Sequence, residues 1–465
     1  MNELTMDLKH NSKMPLYEQI YEYIKSDIRK GNLVCGVKLP STRALAGHLG
    51  VSRSTIELAY EQLFSEGYIE SEPCRGYFVA EIEDLYKFKQ SFVQPQKKEI
   101  VKKKEYLYEF SPRGIDLDSF PYGTWRKISK EILLDDRSEL FKSGHPQGEE
   151  RLRSAIRDYL HQARGVNCEI EQIVVGAGND YLLMLLGMLI GSNHTIAFEN
   201  PTYKQAYRLF ENLSYKVTTV DMDKYGMSVE GLIESQADLA YIMPSHQYPL
   251  GTVMPIKRRM EFLKWAIEKE GRYIIEDDYD SEFRYKGKPI PALQGYESHD
   301  KVIYLGTFSK SIAPAIRVSY MVLPKSLLEI YREKCRFLNS TVSKVDQCIV
   351  EKFIADGYYE RHLNKMRALY KNRHDVLIHC LKPLLSKCKI TGEYAGLHLL
   401  LHFKEKKTEE ELIRQAEAAQ IKVYGLSEYY TKYDKSQGTT ILLGFANIKE
   451  QDIVEATKIL CEIWN

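Results

Sequence analysis

The sequence predicts a multidomain chain: a small N-terminal α+β module followed by a much larger α/β domain with a mostly parallel sheet. Three observations lead there. The 465 residues exceed what one ordinary core accommodates. Residues 1–80 contain three short amphipathic helices and a hairpin, whereas from residue 109 to 465 helical stretches alternate with short apolar strands. Between them, residues 81–108 are charged and repetitive, as in Gln96-Lys-Lys-Glu-Ile-Val-Lys-Lys-Lys-Glu105, and read as a linker with some helical content.

Composition narrows the class. A hydrophobic content of 44% with 28% charged residues is that of a soluble globular protein. No apolar run approaches the roughly 18 residues that a membrane span needs. The longest, Tyr181 to Ile190, is expected to be a buried helix. The polar start MNELTMDLKHNSK resembles neither a signal nor a transit peptide, so the expected compartment is the cytoplasm, with no membrane partner. Eight cysteines without a Cys-x-x-Cys pair argue against a zinc site and a disulfide framework, so no metal is expected. A net charge of +1 gives no global nucleic-acid footprint, and any DNA binding must be argued locally.

The N-terminal elements follow in order. Leu16, Ile20, Ile24 and Ile28 recur every four residues and make one helix face that stops at Gly31. Pro40 interrupts the chain, and Ser41 or Thr42 can cap a second helix carrying Leu45, Ala46 and Leu49 up to Gly50. Ser52-Arg-Ser-Thr55 opens a third, with Ile56, Ala59, Tyr60 and Leu63 on one face. Tyr68-Ile69 and Tyr77-Phe78-Val79, joined across Pro73-Cys-Arg-Gly76, supply a two-stranded wing. Helix, short turn, helix is the helix-turn-helix pattern, and the third helix starts with the polar residues a recognition helix needs. Arg53 is the natural base reader, because a guanidinium grips guanine with two hydrogen bonds. Arg43, Ser52 and Thr55 can reach base or backbone, and Gly76 lets the wing turn approach a groove. The competing interpretation is a three-helix docking or dimerisation module in which Ser52 or Ser54 only caps.

In the large domain the expected strands are Ile173–Val175, Thr195–Phe198, Leu239–Met243, Tyr273–Ile275 and Val302–Leu305. The last runs into Gly306-Thr-Phe-Ser-Lys310, a small-residue turn presenting one lysine. Thr307 and Ser309 lie beside Lys310 and Arg317 follows, which suits a lysine that holds pyridoxal phosphate as a Schiff base. Ile173-Val-Val-Gly-Ala-Gly-Asn-Asp180 is a strand entering a glycine turn, and the helix start near Gly178 and Asn179 offers free N–H groups to an anion. Gly271-Arg-Tyr-Ile-Ile-Glu-Asp-Asp-Tyr-Asp280 places four carboxylates just past a strand, where open parallel sheets gather ligands. Asp277 is the candidate for the protonated pyridine nitrogen and Tyr279 for the ring's phenolic oxygen. A solvated acidic turn or a divalent-metal site are the alternatives for that segment. Tyr203, after Asn200-Pro-Thr, can lie on the ring face or be a core tyrosine.

Two resemblances gather these pieces. Leu39-Pro-Ser-Thr-Arg43, Leu49-Gly-Val-Ser-Arg53, Ala59-Tyr60 and Glu66-Gly-Tyr-Ile-Glu70 make Pro15 to Val79 resemble the winged helix-turn-helix domain of the GntR family. From about Phe110 to the C-terminus the chain resembles a fold-type I aminotransferase domain, a pyridoxal phosphate-dependent transferase fold with a small C-terminal α+β subdomain from about residue 335. The pairing is that of the MocR/GabR regulators. The resemblance implies pyridoxal 5'-phosphate as cofactor and Lys310 as its aldimine lysine. Asp277 and Tyr279 would then meet the ring, with Tyr203 stacked on it. Gly178, Asn179, Thr307, Ser309 and Arg317 would gather the phosphate. It also implies double-stranded operator DNA as partner, a head-to-tail homodimer, and sensing of an amine or amino-acid effector, or of pyridoxal phosphate itself, through Lys310. The alternative is an active aminotransferase with an accessory N-terminal module.

Two departures from the enzyme pattern bear on turnover. Tyr248 stands where aminotransferases carry an asparagine near the ring oxygen. Leu442, in Thr440-Ile-Leu-Leu-Gly-Phe-Ala446, stands where they carry the arginine for the substrate carboxylate, and no arginine follows Arg414. A lysine cannot replace its bidentate fork. Efficient transamination is therefore not expected, while cofactor binding is unaffected.

Overall fold

The computed structural model describes residues 6–9, 12–81, 105–134, 138–285, 287, 290–404, 407–432 and 438–465. The chain divides into two compact units, Met1–Lys103 and Lys104–Asn465. Residues 82–104, the greater part of the expected linker, lie outside the described residues.

In the first unit, α1 (Leu16–Arg29) buries Ile20, Tyr21, Ile24 and Ile28, the face its four-residue spacing predicts. α2 (Thr42–Leu49) is capped by Ser41, whose Oγ accepts from the Ala44 N–H at 3.2 Å, and it ends at left-handed Gly50. α3 (Arg53–Ser65) buries Ile56, Ala59, Tyr60 and Leu63 against α1 and α2. β1 (Ile69–Glu72) and β2 (Gly76–Val79) form the antiparallel wing, with Ile69 opposite Val79. Each fully buried Ile or Leu contributes about 1.5–3 kcal/mol, enough together to hold so small a module around one core.

The second unit opens with β3 (Tyr108–Glu109) and then β4 (Ile173–Gly176), β5 (Thr195–Asn200), β6 (Lys216–Asp223), β7 (Gly226–Met227), β8 (Leu239–Ile242), β9 (Tyr273–Asp278), β10 (Val302–Thr307) and β11 (Ser319–Val322). β4 to β11 make one eight-stranded sheet in the order β4-β11-β10-β9-β8-β5-β6-β7. The pairs β5–β6, β5–β8, β8–β9 and β9–β10 are parallel, while β11 runs antiparallel between β4 and β10. Alternate residues fill two cores. Val174, Phe198, Tyr241, Ile303 and Met321 pack on the layer containing the helix Asn179–Ile190, whereas Ile173, Val175, Tyr304 and Tyr320 pack on the opposite layer with Ile156 and Phe353. A sheet covered on both faces explains why its strands read as continuous apolar runs.

The five expected strands are all present. β6 and β11 were not anticipated: β6 mixes charged residues into a half-exposed strand, and β11 follows the lysine turn too closely to read as a separate element. The helix Asn179–Ile190 is buried along Leu182, Leu183, Leu185, Leu186 and Leu189, but Met184 and Met188 are 48% and 55% exposed. The expected buried helix is present, and it also keeps one open face.

The C-terminal part is α+β. β12 (Cys388–Thr391), β13 (His398–Phe403), β14 (Ile421–Lys422), β15 (Tyr424–Gly425) and β16 (Thr439–Gly444) complete the strands. The order β12-β13-β16-β15 is antiparallel throughout, and the sheet packs with the helices Tyr358–Cys380, Glu409–Ala418 and Glu450–Trp464 around buried Trp464. β14 pairs in parallel with β3, so the segment that begins the second unit is strapped to its far end. Among the described residues, no helix is long and apolar enough to cross a membrane, and no three His, Cys, Asp or Glu side chains are grouped to hold a metal ion.

Candidate functional site

A cavity of about 170 Å³ opens at the carboxyl ends of the parallel strands. Asn179, Tyr203, Asp277, Tyr279, Thr307, Ser309, Lys310 and Arg317 all line it. Segments more than a hundred residues apart in sequence therefore converge on one place. Gly178 is not on the wall itself but underlies Arg317, since a Cβ there would fall 2.1 Å from Arg317 Nη2.

Strand geometry sorts the four carboxylates, three of which lie within β9 itself (Glu276, Asp277, Asp278), with Asp280 just beyond it. Successive side chains on a strand point to opposite faces, so Asp277 faces the cavity while its neighbours turn away. Glu276 accepts the Leu293 and Gln294 N–H groups at 2.7 and 2.9 Å. Asp278 is ion-paired with buried Arg164 at 2.7 Å, and Asp280 lies 3.0 Å from His246 Nδ1. Asp277 has no cationic partner among the described residues. Its carboxylate accepts from the Tyr241 hydroxyl and lies 3.5 Å from Asn179 Nδ2. Burial pushes its pKa up to about 7, with the Tyr241 hydrogen bond opposing the rise. A buried carboxylate aimed at a cavity and lacking a cation suits a protonated ring nitrogen. The four carboxylates therefore diverge, each with different partners.

The glycine-turn side of the cavity has the features of an anion cradle. Gly178 has φ +96° and ψ 165°, a conformation essentially restricted to glycine, and it leads into the N-terminus of the helix Asn179–Ile190. Arg317 Nη2 lies 3.2 Å from the Ala177 carbonyl and 3.3 Å from Asp180 Oδ2, with half its side chain open. Thr307 Oγ1 accepts from Ser319 Oγ at 2.8 Å and from the Ser309 N–H at 3.1 Å. Ser309 Oγ and Asn179 Oδ1 are buried without a hydrogen-bond partner. Such orphaned atoms are costly unless a ligand satisfies them. The residues present thus fit a phosphorylated, protonated heterocycle. Gly178→Ala is expected to weaken binding of pyridoxal phosphate about 10- to 150-fold, because its Cβ would push the Arg317 guanidinium out of the cradle, and a hydrogen bond to a charged group contributes about 1.5–3 kcal/mol. Titration of the cofactor-free protein measures it, and unchanged affinity would refute the cradle.

Lys310 lines the same cavity, and its Nζ donates to the Arg113 carbonyl at 2.9 Å. Burial lowers its pKa to about 8, Asp280 opposes that shift, and Arg113 adds to it. Tyr203 precedes the helix Lys204–Asn212, and its ring stands edge-on to Tyr248 at 6.4 Å. The Tyr279 hydroxyl lies 2.9 Å from His246 Nδ1, so part of its bonding capacity is already used. Tyr248 is buried with its hydroxyl 2.8 Å from that of Tyr429. Leu442 is a buried core residue opposite Leu400, far from any polar role.

Arg113 lines the cavity and was not foreseen. It belongs to no regular element, and the only trace in the sequence is a cation in the turn Ser111-Pro-Arg-Gly114 just after the linker. Tyr241 was also missed, because a tyrosine inside a buried strand reads as core.

On the first unit, Arg53 opens α3 with its side chain 67% exposed and Nε bonded to Glu57 at 2.7 Å. Ser52 is the N-cap, accepting from the Thr55 N–H at 3.2 Å, and its hydroxyl also meets Thr55 Oγ1 at 2.7 Å. Ser52 therefore does cap, and what remains open to a ligand is the exposed surface around it. Arg43 is exposed on the first turn of α2, and Gly76 at φ +105° opens β2 at the wing tip.

Comparison with known proteins agrees with both units. Residues 16–79 match the family described as bacterial regulatory proteins, gntR family, and residues 117–456 match aminotransferase class I and II. The HTH-type transcriptional regulator YdeL of Bacillus subtilis is 39% identical, over 99% of both chains. The probable rhizopine catabolism regulatory protein MocR of Rhizobium meliloti is 30% identical over 97% of this chain and 94% of its own. The pyridoxine biosynthesis regulator PdxR of Corynebacterium glutamicum is likewise 30% identical, covering 97% and 96%. Among solved structures, Pyrococcus horikoshii kynurenine aminotransferase superposes with a TM-score of 0.68 at 24% identity, over 77% of this chain and 91% of that one.

Proposed function

Because this chain belongs to the gntR family of bacterial regulatory proteins, in the MocR-like group that adds an aminotransferase domain, we propose that a small amine entering the Lys310 cavity controls its affinity for operator DNA. It is a pyridoxal phosphate-dependent transcriptional regulator. The cofactor, when bound, supplies an aldehyde carbon that condenses with primary amines and a ring that draws electrons from it. Lys310 would hold that carbon, Asp277 the ring nitrogen, and Tyr203 one ring face. Tyr279 would donate to the phenolic oxygen, and Gly178, Asn179, Thr307, Ser309 and Arg317 would surround the phosphate. Arg53, Arg43, Ser52, Thr55 and the Gly76 turn would meet the duplex.

The observation that carries this reading is the position of Lys310 in one cavity with Asp277, Tyr279, Thr307, Ser309 and Arg317. A Lys310 amine released there and protonated would add a cation to a cavity that already contains Arg113 and Arg317. A change of that kind needs to favour one arrangement of the protein by only a few kcal/mol to alter DNA affinity usefully. The effector is an amine or amino acid, or pyridoxal phosphate itself, and the working unit is a head-to-tail homodimer in the cytoplasm.

The test is one titration read twice. Amino acids, amines and excess pyridoxal phosphate are added to the protein on an operator duplex, and absorption and DNA release are followed together. A ligand that shifts the cofactor band and the DNA affinity at the same concentration supports the reading. A band that converts to the pyridoxamine form with keto acid released, while DNA affinity stays fixed, would make the chain an aminotransferase with an accessory module.

A further inference from the structure

Resting on the reading that the Lys310 cavity takes an amine, we infer that Arg113 receives the effector's carboxylate, so that the effector is an amino acid rather than a simple amine. The place where an aminotransferase keeps its carboxylate arginine is filled here by core residue Leu442. The cavity nevertheless contains two arginines, Arg113 and Arg317. Arg317 stands over Gly178 and beside Asp180, at the anion cradle. Arg113 has different neighbours.

The Arg113 guanidinium is 6.0 Å from the Tyr203 ring centroid, hydrogen-bonds Tyr248, and has Tyr429 as its next electrostatic neighbour. All three are neutral phenols. Among the described residues, no carboxylate lies within ion-pair distance of it. A partly desolvated guanidinium facing only phenols retains its fork of donors for an incoming anion, and carboxylates match that fork in two parallel bonds.

Placement supports the same assignment. The backbone carbonyl of Arg113 accepts from Lys310 Nζ, so its side chain starts next to the amine that an effector would displace. In an amino acid one carbon separates amine from carboxylate, and a group bound at the position of the amine puts its carboxylate within reach of this residue. The segment is also fixed in place. β3 pairs with β14, Phe110 N–H donates to the Lys422 carbonyl at 3.0 Å, and Gly444 N–H donates to the Phe110 carbonyl at 3.0 Å. Gly444 ends β16, the strand that carries Leu442. The strap thus brings an arginine from the start of the unit to the end of the strand that lacks one.

The experiment uses the full-length, cofactor-loaded protein and titrates its visible band with matched pairs: L- and D-alanine against ethylamine, phenylalanine against phenethylamine, lysine against cadaverine. In the wild type, at least one amino acid is expected to bind about 10- to 100-fold tighter than its amine, the range for a charge-assisted pair. Arg113→Gln should keep the cofactor band and the amine affinities but bring the amino acid down to the level of its amine. Arg113→Lys should recover part of the difference, since it restores the charge without the fork. An amino-acid preference that survives in Arg113→Gln would overturn the assignment alone, as would a wild type that binds amines and amino acids alike. A wild-type band indifferent to every ligand would overturn the effector reading and the assignment with it.

Discussion

Lys310→Ala abolishes the visible absorption of the lysine-bound cofactor while the protein stays folded. No other lysine lines the cavity, so nothing among the described residues can take its place. The substitution removes one hydrogen bond, to the Arg113 carbonyl, and the expected effect on stability is about 0.5–1.5 kcal/mol. Phosphate and ring contacts belong to other residues, so weak non-covalent cofactor binding should remain. The pH dependence in the wild type follows from the same environment. Attack on an aldehyde needs the neutral amine. Because burial lowers the Lys310 pKa to about 8, attachment should speed up as pH rises towards 8 and level off above it. A lysine in water, near 10.4, would keep accelerating for about two further pH units. Spectra of both proteins after reconstitution, and attachment rates from pH 6 to 10, check these expectations. A band that persists in Lys310→Ala would sink the assignment.

Arg53→Ala should lower operator affinity about 5- to 150-fold, the equivalent of about 1–3 kcal/mol, and relax preference at one base position. The helix itself should not suffer, since alanine is the better helix former and Arg53 sits at an exposed first turn. What the substitution removes in the free protein is the ion pair with Glu57, 67% and 41% exposed on its two sides. Pairs of that exposure contribute about 0–1 kcal/mol, so Arg53 can leave Glu57 for a guanine at little cost. Ser52→Ala should behave differently. It removes the N-cap bond to Thr55, destabilises α3 by about 0.5–2 kcal/mol, and weakens binding to all duplexes alike. Fluorescence anisotropy on a duplex selected by the wild-type protein, set against a scrambled one, separates the two variants. Unchanged affinity in Arg53→Ala would remove it from the recognition surface.

The role proposed for Arg113 bears on the expectation of poor transamination. The missing arginine at Leu442 counted against efficient transamination, because no arginine follows Arg414. An arginine supplied by the strap offers a carboxylate anchor by another route. Whether this chain turns over is therefore decided by product formation rather than by the composition of its C-terminus.

Much of the architecture was legible because local rules point the same way as the fold. Ile20, Ile24 and Ile28 announce their helix by spacing, Ser41 and Ser52 announce helix starts by their capping chemistry, and β9 and β10 announce themselves as apolar runs that end in functional turns. The residues expected around the cofactor all lie on short motifs tied to strand ends, and the sheet carries those ends to one edge. β6 and β11 were not legible, since neither has an apolar pattern that stands out from its surroundings.

By itself, the sequence determined two units, the helices and wing of the first, five strands of the second, and the residue types at the lysine turn, the acidic turn and the glycine turn. These are local properties, written in spacing and in side-chain chemistry over a few neighbouring positions. The sequence already singled out Asp277, but only the tertiary structure supplied the reason, by pairing Glu276, Asp278 and Asp280 with other groups and leaving Asp277 to the cavity. Only it brought Arg113 beside Lys310, 197 positions away in sequence. That meeting is made by hydrogen bonds from β3 and Phe110 to the C-terminal strands, long-range contacts that leave no periodicity in the chain.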